Sequence, residues 1–194
     1  MRPTVAEPAL PDKVVAVHQA LDGAGVPHAF GGALALAYYA EPRATVDIDV
    51  NVFVAPAKLP QVAGALAPLG VETAAADVVA DVHREGQTRV WWGRTPLDLF
   101  FSYHPLHRAM ARDARLVPFG AESIPILSPE HLVTCKAVFD RRKDWLDIEQ
   151  VLLAVPDLHA AEALSWVADL VGREDPRRRH LGEVVEELLG AGEG

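Results

Sequence analysis

The chain is poor in several features that define whole classes of protein. It has one cysteine in 194 residues, so it cannot form an internal disulfide. No apolar run approaches the ~20 residues that a membrane-spanning helix needs. Lys and Arg number 18 against 27 Asp and Glu, which gives a formal charge of −9. These scarcities argue against a disulfide-stapled domain, a membrane-spanning protein and a polybasic nucleic-acid binder, although local basic patches remain compatible with the total.

The composition is otherwise that of an ordinary globular protein of one domain, or one domain with an appendage. Half of the residues are apolar and 23% are charged. Residues 1–11 contain a single Arg and lack the apolar stretch of a signal peptide. Together with the single Cys135, this leads us to expect a cytoplasmic protein.

The hydrophobic pattern changes character near residue 128. Before it, short strand-like runs alternate with helical segments, and the clearest strand is DIDVNVFV at 47–54, with period-2 alternation. After Ser128 only helical patterns follow, at about 129–139, 144–154, 160–171 and 177–189. We therefore predict an α/β (α+β) protein with a mixed sheet, a catalytic core over 1–127 and a helical region over 128–194 that packs on it.

Two acids share one face of the predicted strand. Asp47 and Asp49 are two residues apart, so their carboxylates project side by side and repel each other. A bound cation relieves that repulsion, and hard oxygen ligands of this kind suit Mg²⁺. The alternative interpretation is a solvated strand face that carries two surface acids.

Two further features sharpen the metal hypothesis. Gly31-Gly32 lies between a predicted strand and a predicted helix, where it allows a close backbone approach to an anionic ligand. Asp98 interrupts the apolar run PLDLF at 96–100 and therefore points away from its apolar neighbours. If its strand lies beside the Asp47–Asp49 strand, three carboxylates gather, enough to hold two metal ions for phosphoryl chemistry.

The ordered combination FGGALALAYYAEPRATVDIDVNV at 30–52, followed by Asp98, resembles the DNA polymerase β-type nucleotidyltransferase superfamily. The pattern shared with that superfamily is a hydrophobic residue, Gly-Gly or Gly-Ser, a short helix, Asp-x-Asp and a later third acid. The spacer of residues 33–46 is slightly long for it. Gly32 occupies the place of the Ser, so a hydroxyl contact to phosphate is lacking.

A second segment, CKAVFDRRKDWLDIEQVL at 135–152, resembles the C-terminal helical motif of the AbiEii-like and MenT-type toxins. The resemblance implies that Lys136, Lys143 and Asp144 take part in binding the nucleotide or the acceptor. It further implies that Asp47, Asp49 and Asp98 bind two Mg²⁺ ions and catalyse transfer, and that Gly31 and Gly32 contact phosphate.

The implied activity is transfer of a nucleoside monophosphate from an NTP to an acceptor. By the same resemblance, the acceptor is tRNA and the protein is the toxin of a toxin–antitoxin pair with a cognate antitoxin partner. Arginines clustered at 108–115, 141–142 and 173–179 favour an RNA acceptor, and the acidic total opposes it. Two alternatives remain: an antibiotic nucleotidyltransferase acting on an aminoglycoside or lincosamide, and a binding module without catalysis.

Overall fold

A computed structural model describes residues 7–73 and 75–190, which form two compact units. The first unit comprises the chain up to Gly31 together with Thr45–Ile126, and the second comprises Gly32–Ala44 together with the chain from Leu127 onward. The sequence grouped 32–44 with the N-terminal part, whereas this segment belongs to the second unit. Residues 1–6 of the stretch that we inspected for a signal peptide lie outside the described residues.

The first unit is built on one mixed sheet of six strands. The strands are β1 His28–Phe30, β2 Ile48–Val52, β3 Gln87–Trp92, β4 Thr95–Phe101, β5 Arg115–Phe119 and β6 Glu122–Ile126. Their order in the sheet is β3-β4-β2-β1-β6-β5. The inner strands β1 and β2 pair antiparallel, β2 pairs parallel with β4, and β1 pairs parallel with β6. The predicted mixed α/β class is confirmed.

Alternation along β2 decides which side chains enter the core. Ile48, Val50 and Val52 are buried, whereas Asp49 between them is half-buried. Val90, Leu97, Leu99 and Phe101 are also buried on the two strands beyond. The tight connection between β3 and β4 places Gly93 at φ 60°, a conformation that glycine adopts without steric cost.

The helices of the first unit are α1 Leu10–Gly23, α3 Leu59–Leu66, α4 Ala76–Glu85 and α5 Pro105–Asp113. The sequence predicted one helix from Pro56 to about Leu69. The structure divides this stretch into a 3₁₀ turn at Pro56–Lys58, α3, and a second 3₁₀ turn at Ala67–Leu69. Neither α4 nor α5 was predicted.

A buried lysine anchors α1 to the β3–β4 connection. Lys13 is 1% exposed, and its ammonium donates to Glu7 at 2.5 Å, to the Trp92 carbonyl at 2.9 Å and to the Thr95 hydroxyl at 2.8 Å. All three donors are therefore used, as a buried charge requires. The hydrogen bond from Lys13, with another from the Arg94 amide, lowers the pKa of Glu7 to about 2.

The second unit is helical and closely follows the sequence-based bounds. It contains α2 Gly32–Leu36, α6 Pro129–Phe139, α7 Arg142–Ala154, α8 Ala160–Val171 and α9 Pro176–Leu189. Ser128 caps α6 as expected, because its hydroxyl accepts from the His131 amide at 3.4 Å. The Tyr39 hydroxyl donates to the Leu127 carbonyl at 2.8 Å, which ties the 32–44 segment to the start of this helical region. Across the described ranges, every helix falls short of the length and apolar character that crossing a membrane demands.

Protonation of buried histidine makes the stability of the first unit depend on pH. Burial lowers the pKa of His28, whose ring faces His18 across a 2.9 Å nitrogen–nitrogen contact. The unfolded chain, with a histidine pKa of ~6.5, then binds the proton more readily than the folded chain. Stability is therefore fully present above that value and is lost as pH falls below it.

We expect the urea midpoint to drop between pH 7.5 and pH 5.5, and to drop less in His28→Gln. His83→Gln, which removes an exposed histidine on α4, should keep the wild-type pH dependence. An unchanged pH dependence in His28→Gln would contradict the assignment.

Candidate active site

The parallel pairing of β2 with β4 brings two of the predicted acids together. Asp49 and Asp98 are directly opposite each other in the register of this strand pair. Side chains at opposed positions of adjacent strands stand on the same face of the sheet at short range. From the sequence, Asp98 could approach Asp49 only if the two strands were neighbours in the sheet. In the structure they are neighbours.

Asp47 lies immediately before β2, two residues from Asp49, and is half-buried. The Thr45 hydroxyl donates to its carboxylate, which fixes the side chain at the entrance to the strand. Asp47, Asp49 and Asp98, the predicted acidic set, therefore all belong to the first unit, with Asp49 and Asp98 on paired strands and Asp47 two residues before Asp49.

Arg89 lies on β3, one strand further along the sheet from Asp98. It stands opposite Asp98 in the antiparallel β3–β4 pair, and its Nε and Nη2 donate to the two carboxylate oxygens at 2.6 Å each. The hydrogen bond to Asp98 raises the pKa of Arg89, and the charges of Asp47 and Asp49 add to the effect. Neighbouring positions on β3, β4 and β2 therefore carry Arg89, Asp98 and Asp49, and we call these three residues the charged row.

Gly31 lies at the end of β1 and next to Asp49 in the sheet. Its amide donates to the Asp49 carbonyl at 3.0 Å. This N–H therefore already has a hydrogen-bond partner within the sheet. The predicted phosphate contact of Gly31 would depend instead on the lack of a side chain, which allows the phosphate to approach the backbone closely. Gly32 opens α2 with φ 53°, a left-handed conformation that favours glycine.

A cavity of about 420 Å³ opens beside Asp47 within the first unit. Thr45, which hydrogen-bonds Asp47, lines it together with the buried Lys13 and with Arg94. Small-molecule sites commonly measure about 300–1,000 Å³. The cavity has the volume of such a site, and it is lined by the residue that hydrogen-bonds Asp47.

The predicted residues of the second unit form a buried ion network. Lys136 donates to Asp147 at 2.5 Å and lies 3.8 Å from Asp144, and all three are buried. Arg43 also donates to both carboxylate oxygens of Asp147, with contacts of 3.1–3.3 Å. Although burial raises its pKa, the hydrogen bonds from Arg43 and Lys136 hold the pKa of Asp147 below its usual range.

Lys143 and Asp144 are neighbours in sequence but differ in environment. Lys143 is exposed at the start of α7, whereas Asp144 is fully buried and accepts from Arg141 at 2.6 Å. The nucleotide-binding role of Lys136, Lys143 and Asp144 stays a prediction. Their position shows that Lys136 and Asp144 already balance charge inside the second unit.

Sequence reasoning missed two arginines of these clusters. Arg89 could have been found from the β3–β4 hairpin, because counting back from the Gly93 turn pairs it with Asp98. Arg43 carries no such local signal, since its partner Asp147 lies 104 residues away. Asp147, which lies within the 135–152 segment, is the centre of the buried network.

The acidic set of the first unit has the donor chemistry of a magnesium site, although among the described residues the oxygens of Asp47, Asp49 and Asp98 do not all lie within 4.8 Å of one another. Asp47, Asp49 and Asp98 offer only carboxylate oxygens, the ligands that Mg²⁺ prefers, and all three are half-buried. Arg89 pairs with one of these acids, Asp98. These residues would hold the metal when it is bound.

Removing the centre of the second network should destabilise the protein. We expect Asp147→Ala to lower the free energy of unfolding by about 3 kcal/mol, because Lys136 would stay buried with only Asp144 nearby. Glu149→Ala, on the same helix but outside the network, is the matched control. Urea denaturation measures both, and equal stability of the two variants would contradict the structural role.

Comparison with known proteins identifies the fold. No protein-family model and no curated protein matches the chain. A solution structure of the antibiotic-resistance factor ANT(2'')-Ia is similar, with TM-score 0.59, 14% identity, and coverage of 89% of this chain and 97% of that one. A crystal structure of ANT(2'')-Ia in complex with adenylyl-2''-tobramycin has TM-score 0.57 and 13% identity, with coverage of 85% and 98%.

A crystal structure of an antigenic nucleotidyltransferase-like protein from Paracoccidioides brasiliensis matches with TM-score 0.50 and 18% identity, covering 91% of this chain and 92% of that one. At such low identities the likeness concerns architecture. The chain therefore has the fold of the nucleotidyltransferases.

Proposed function

We propose that this protein is a Mg²⁺-dependent nucleotidyltransferase that moves a nucleoside monophosphate from an NTP to a hydroxyl-bearing acceptor. One observation carries the proposal: the β2–β4 register sets Asp98 opposite Asp49, next to Asp47, in a chain with the nucleotidyltransferase fold. The resemblance of residues 30–52 to the superfamily pattern supports it independently of the structure.

The reaction needs positioning and charge neutralisation more than covalent catalysis. Mg²⁺ bound by the three carboxylates would offset the charge of the triphosphate. The acceptor oxygen forms a bond to the α-phosphorus, and the bond from that phosphorus to the pyrophosphate oxygen breaks. Asp98 is the carboxylate placed to take the proton of the acceptor hydroxyl once Arg89 no longer occupies both of its oxygens.

A small acceptor is favoured by the first unit. The cavity beside Asp47 has the size of a small-molecule site, and ANT(2'')-Ia, whose crystal structure contains adenylyl-2''-tobramycin, shares the fold over nearly its whole length. The net charge of −9 suits a cationic acceptor such as an aminoglycoside.

A tRNA acceptor, with a toxin role and an antitoxin partner, is the second candidate. It is supported by the resemblance of residues 135–152 to the AbiEii-like and MenT-type motif and by exposed Lys143 within that motif. The arginine clusters give it less support than the sequence suggested. Three of these arginines pair with acids close to them in sequence, namely Arg112 with Asp113, Arg141 with Asp144, and Arg177 with Asp175.

Loss of one metal-facing acid should abolish transfer without unfolding the protein. With α-labelled NTP and Mg²⁺, we expect Asp49→Asn to lower the transfer rate by about a thousandfold, since metal stabilisation of the transition state is worth several kcal/mol. Asp81→Asn, on exposed α4, should stay at the wild-type rate. Circular dichroism should show both variants folded.

The identity of the acceptor follows from the same assay run with tobramycin, with a lincosamide and with total tRNA. Labelled antibiotic favours the small-acceptor candidate, and labelled tRNA favours the toxin candidate. If Mg²⁺ and NTP bind but none of these acceptors is labelled, both acceptor candidates fail and the binding-module alternative is favoured. If neither Mg²⁺ nor NTP binds, the nucleotidyltransferase proposal fails.

A further inference from the structure

The ion pair between Arg89 and Asp98 differs from the other surface ion pairs in where it lies. It occupies both carboxylate oxygens of an acid that the proposed reaction assigns to metal binding. The Asp98 side chain is 17% exposed and that of Arg89 is 52% exposed, so the acid is partly enclosed while the arginine remains reachable from solvent. An arginine in this position can leave without opening the core.

The acids around Asp98 favour a cation at the position that Arg89 occupies. Asp49 and Asp98 place carboxylates at opposed positions of β2 and β4, and Asp47 adds a third carboxylate two residues before Asp49. Arg89 supplies one positive charge next to Asp98 in a fixed, bidentate geometry. It thereby provides part of the neutralisation that a divalent ion would provide.

We propose that Arg89 is a positioning residue that holds Asp98 in the resting protein and competes with the divalent cation for the Asp98 carboxylate. The inference rests on the proposed function, because it takes Asp98 as a metal ligand. Arg89 releases Asp98 when the guanidinium gains another anionic partner, and the triphosphate of the nucleotide is the anion that the reaction brings to this site. Complete assembly of the metal site is therefore coupled to nucleotide binding.

A purely structural ion pair would behave differently. An exposed pair on a hairpin contributes little to stability, and its loss would leave metal affinity unchanged. Competition makes the opposite prediction, because removing Arg89 vacates both oxygens of Asp98 and removes a repulsive positive charge. Metal affinity without nucleotide is thus the measurement that separates the two accounts.

The experiment titrates Mn²⁺ into the full chain without nucleotide and follows unbound Mn²⁺ by electron paramagnetic resonance. We expect Arg89→Gln to bind Mn²⁺ about three- to tenfold more tightly than wild type, the size of effect that one nearby, partly solvated charge produces. Arg89→Lys, which keeps the charge but loses the bidentate fork, should fall between the two.

Arg84→Gln is the matched control, because it also removes one exposed arginine that pairs with acids, Asp81 and Glu85, on α4. It should bind Mn²⁺ as wild type does. Equal Mn²⁺ affinity in wild type and Arg89→Gln, or an equal gain in Arg84→Gln, would overturn the proposal. Thermal unfolding of each variant confirms that a folded protein is compared.

A second titration contains a nucleotide whose α,β-bridging oxygen is replaced by methylene, so that no transfer occurs. The advantage of Arg89→Gln over wild type should then shrink, because Arg89 has moved to phosphate in the wild-type protein. An advantage that persists unchanged would overturn the coupling.

The test is independent of turnover. Tighter Mn²⁺ binding by Arg89→Gln in a protein that transfers no nucleotide supports the competition and refutes the activity. Normal transfer with unchanged Mn²⁺ binding supports the activity and refutes the competition. Absence of Mn²⁺ binding in every variant overturns both the competition and the proposed activity.

Discussion

The parallel pairing of β2 with β4 is the constraint on which the candidate site depends. Without it, Asp47 and Asp49 are two acids at the start of one strand, and Asp98 is an isolated acid on another. The register sets Asp98 directly opposite Asp49, and the antiparallel β3–β4 hairpin sets Arg89 opposite Asp98. The buried residues Val50, Leu97 and Leu99 fix that register, because a slip of one residue would exchange the core face with the polar face.

The two units differ in how exposed the cations are that pair with their acids. In the first unit, Asp98 is held by the half-exposed Arg89. In the second unit, Asp147 is held by the buried Lys136 and by Arg43, and Asp144 by Arg141. A buried pair is costly to break, whereas an exposed pair is cheap. This contrast is the physical ground for assigning exchange chemistry to the first unit and a structural role to the second network.

The fold limits the range of reactions to consider, but it does not identify the acceptor. Proteins of one fold carry different activities, because activity resides in the site rather than in the architecture. Here the acidic row argues for metal-assisted nucleotidyl transfer, and the cavity beside Asp47 argues for a small acceptor. The pairing of Arg112, Arg141 and Arg177 with acids weakens the case for an RNA track that the sequence alone had suggested.

Local patterns in the sequence located many of the elements, although not α4 or α5, and predicted a chemical role for the acids. Period-2 alternation located β2, cap and helical patterns located α6 to α9, and the Asp-x-Asp spacing indicated a metal site, because these signals lie within a few residues of each other. Tertiary structure alone decided strand order, the Asp49–Asp98 register and the grouping of 32–44 with the helical unit. It also decided the partners of buried charges, since Arg43 and Asp147 meet across 104 residues of chain. Such contacts depend on packing between distant segments, which no local pattern encodes.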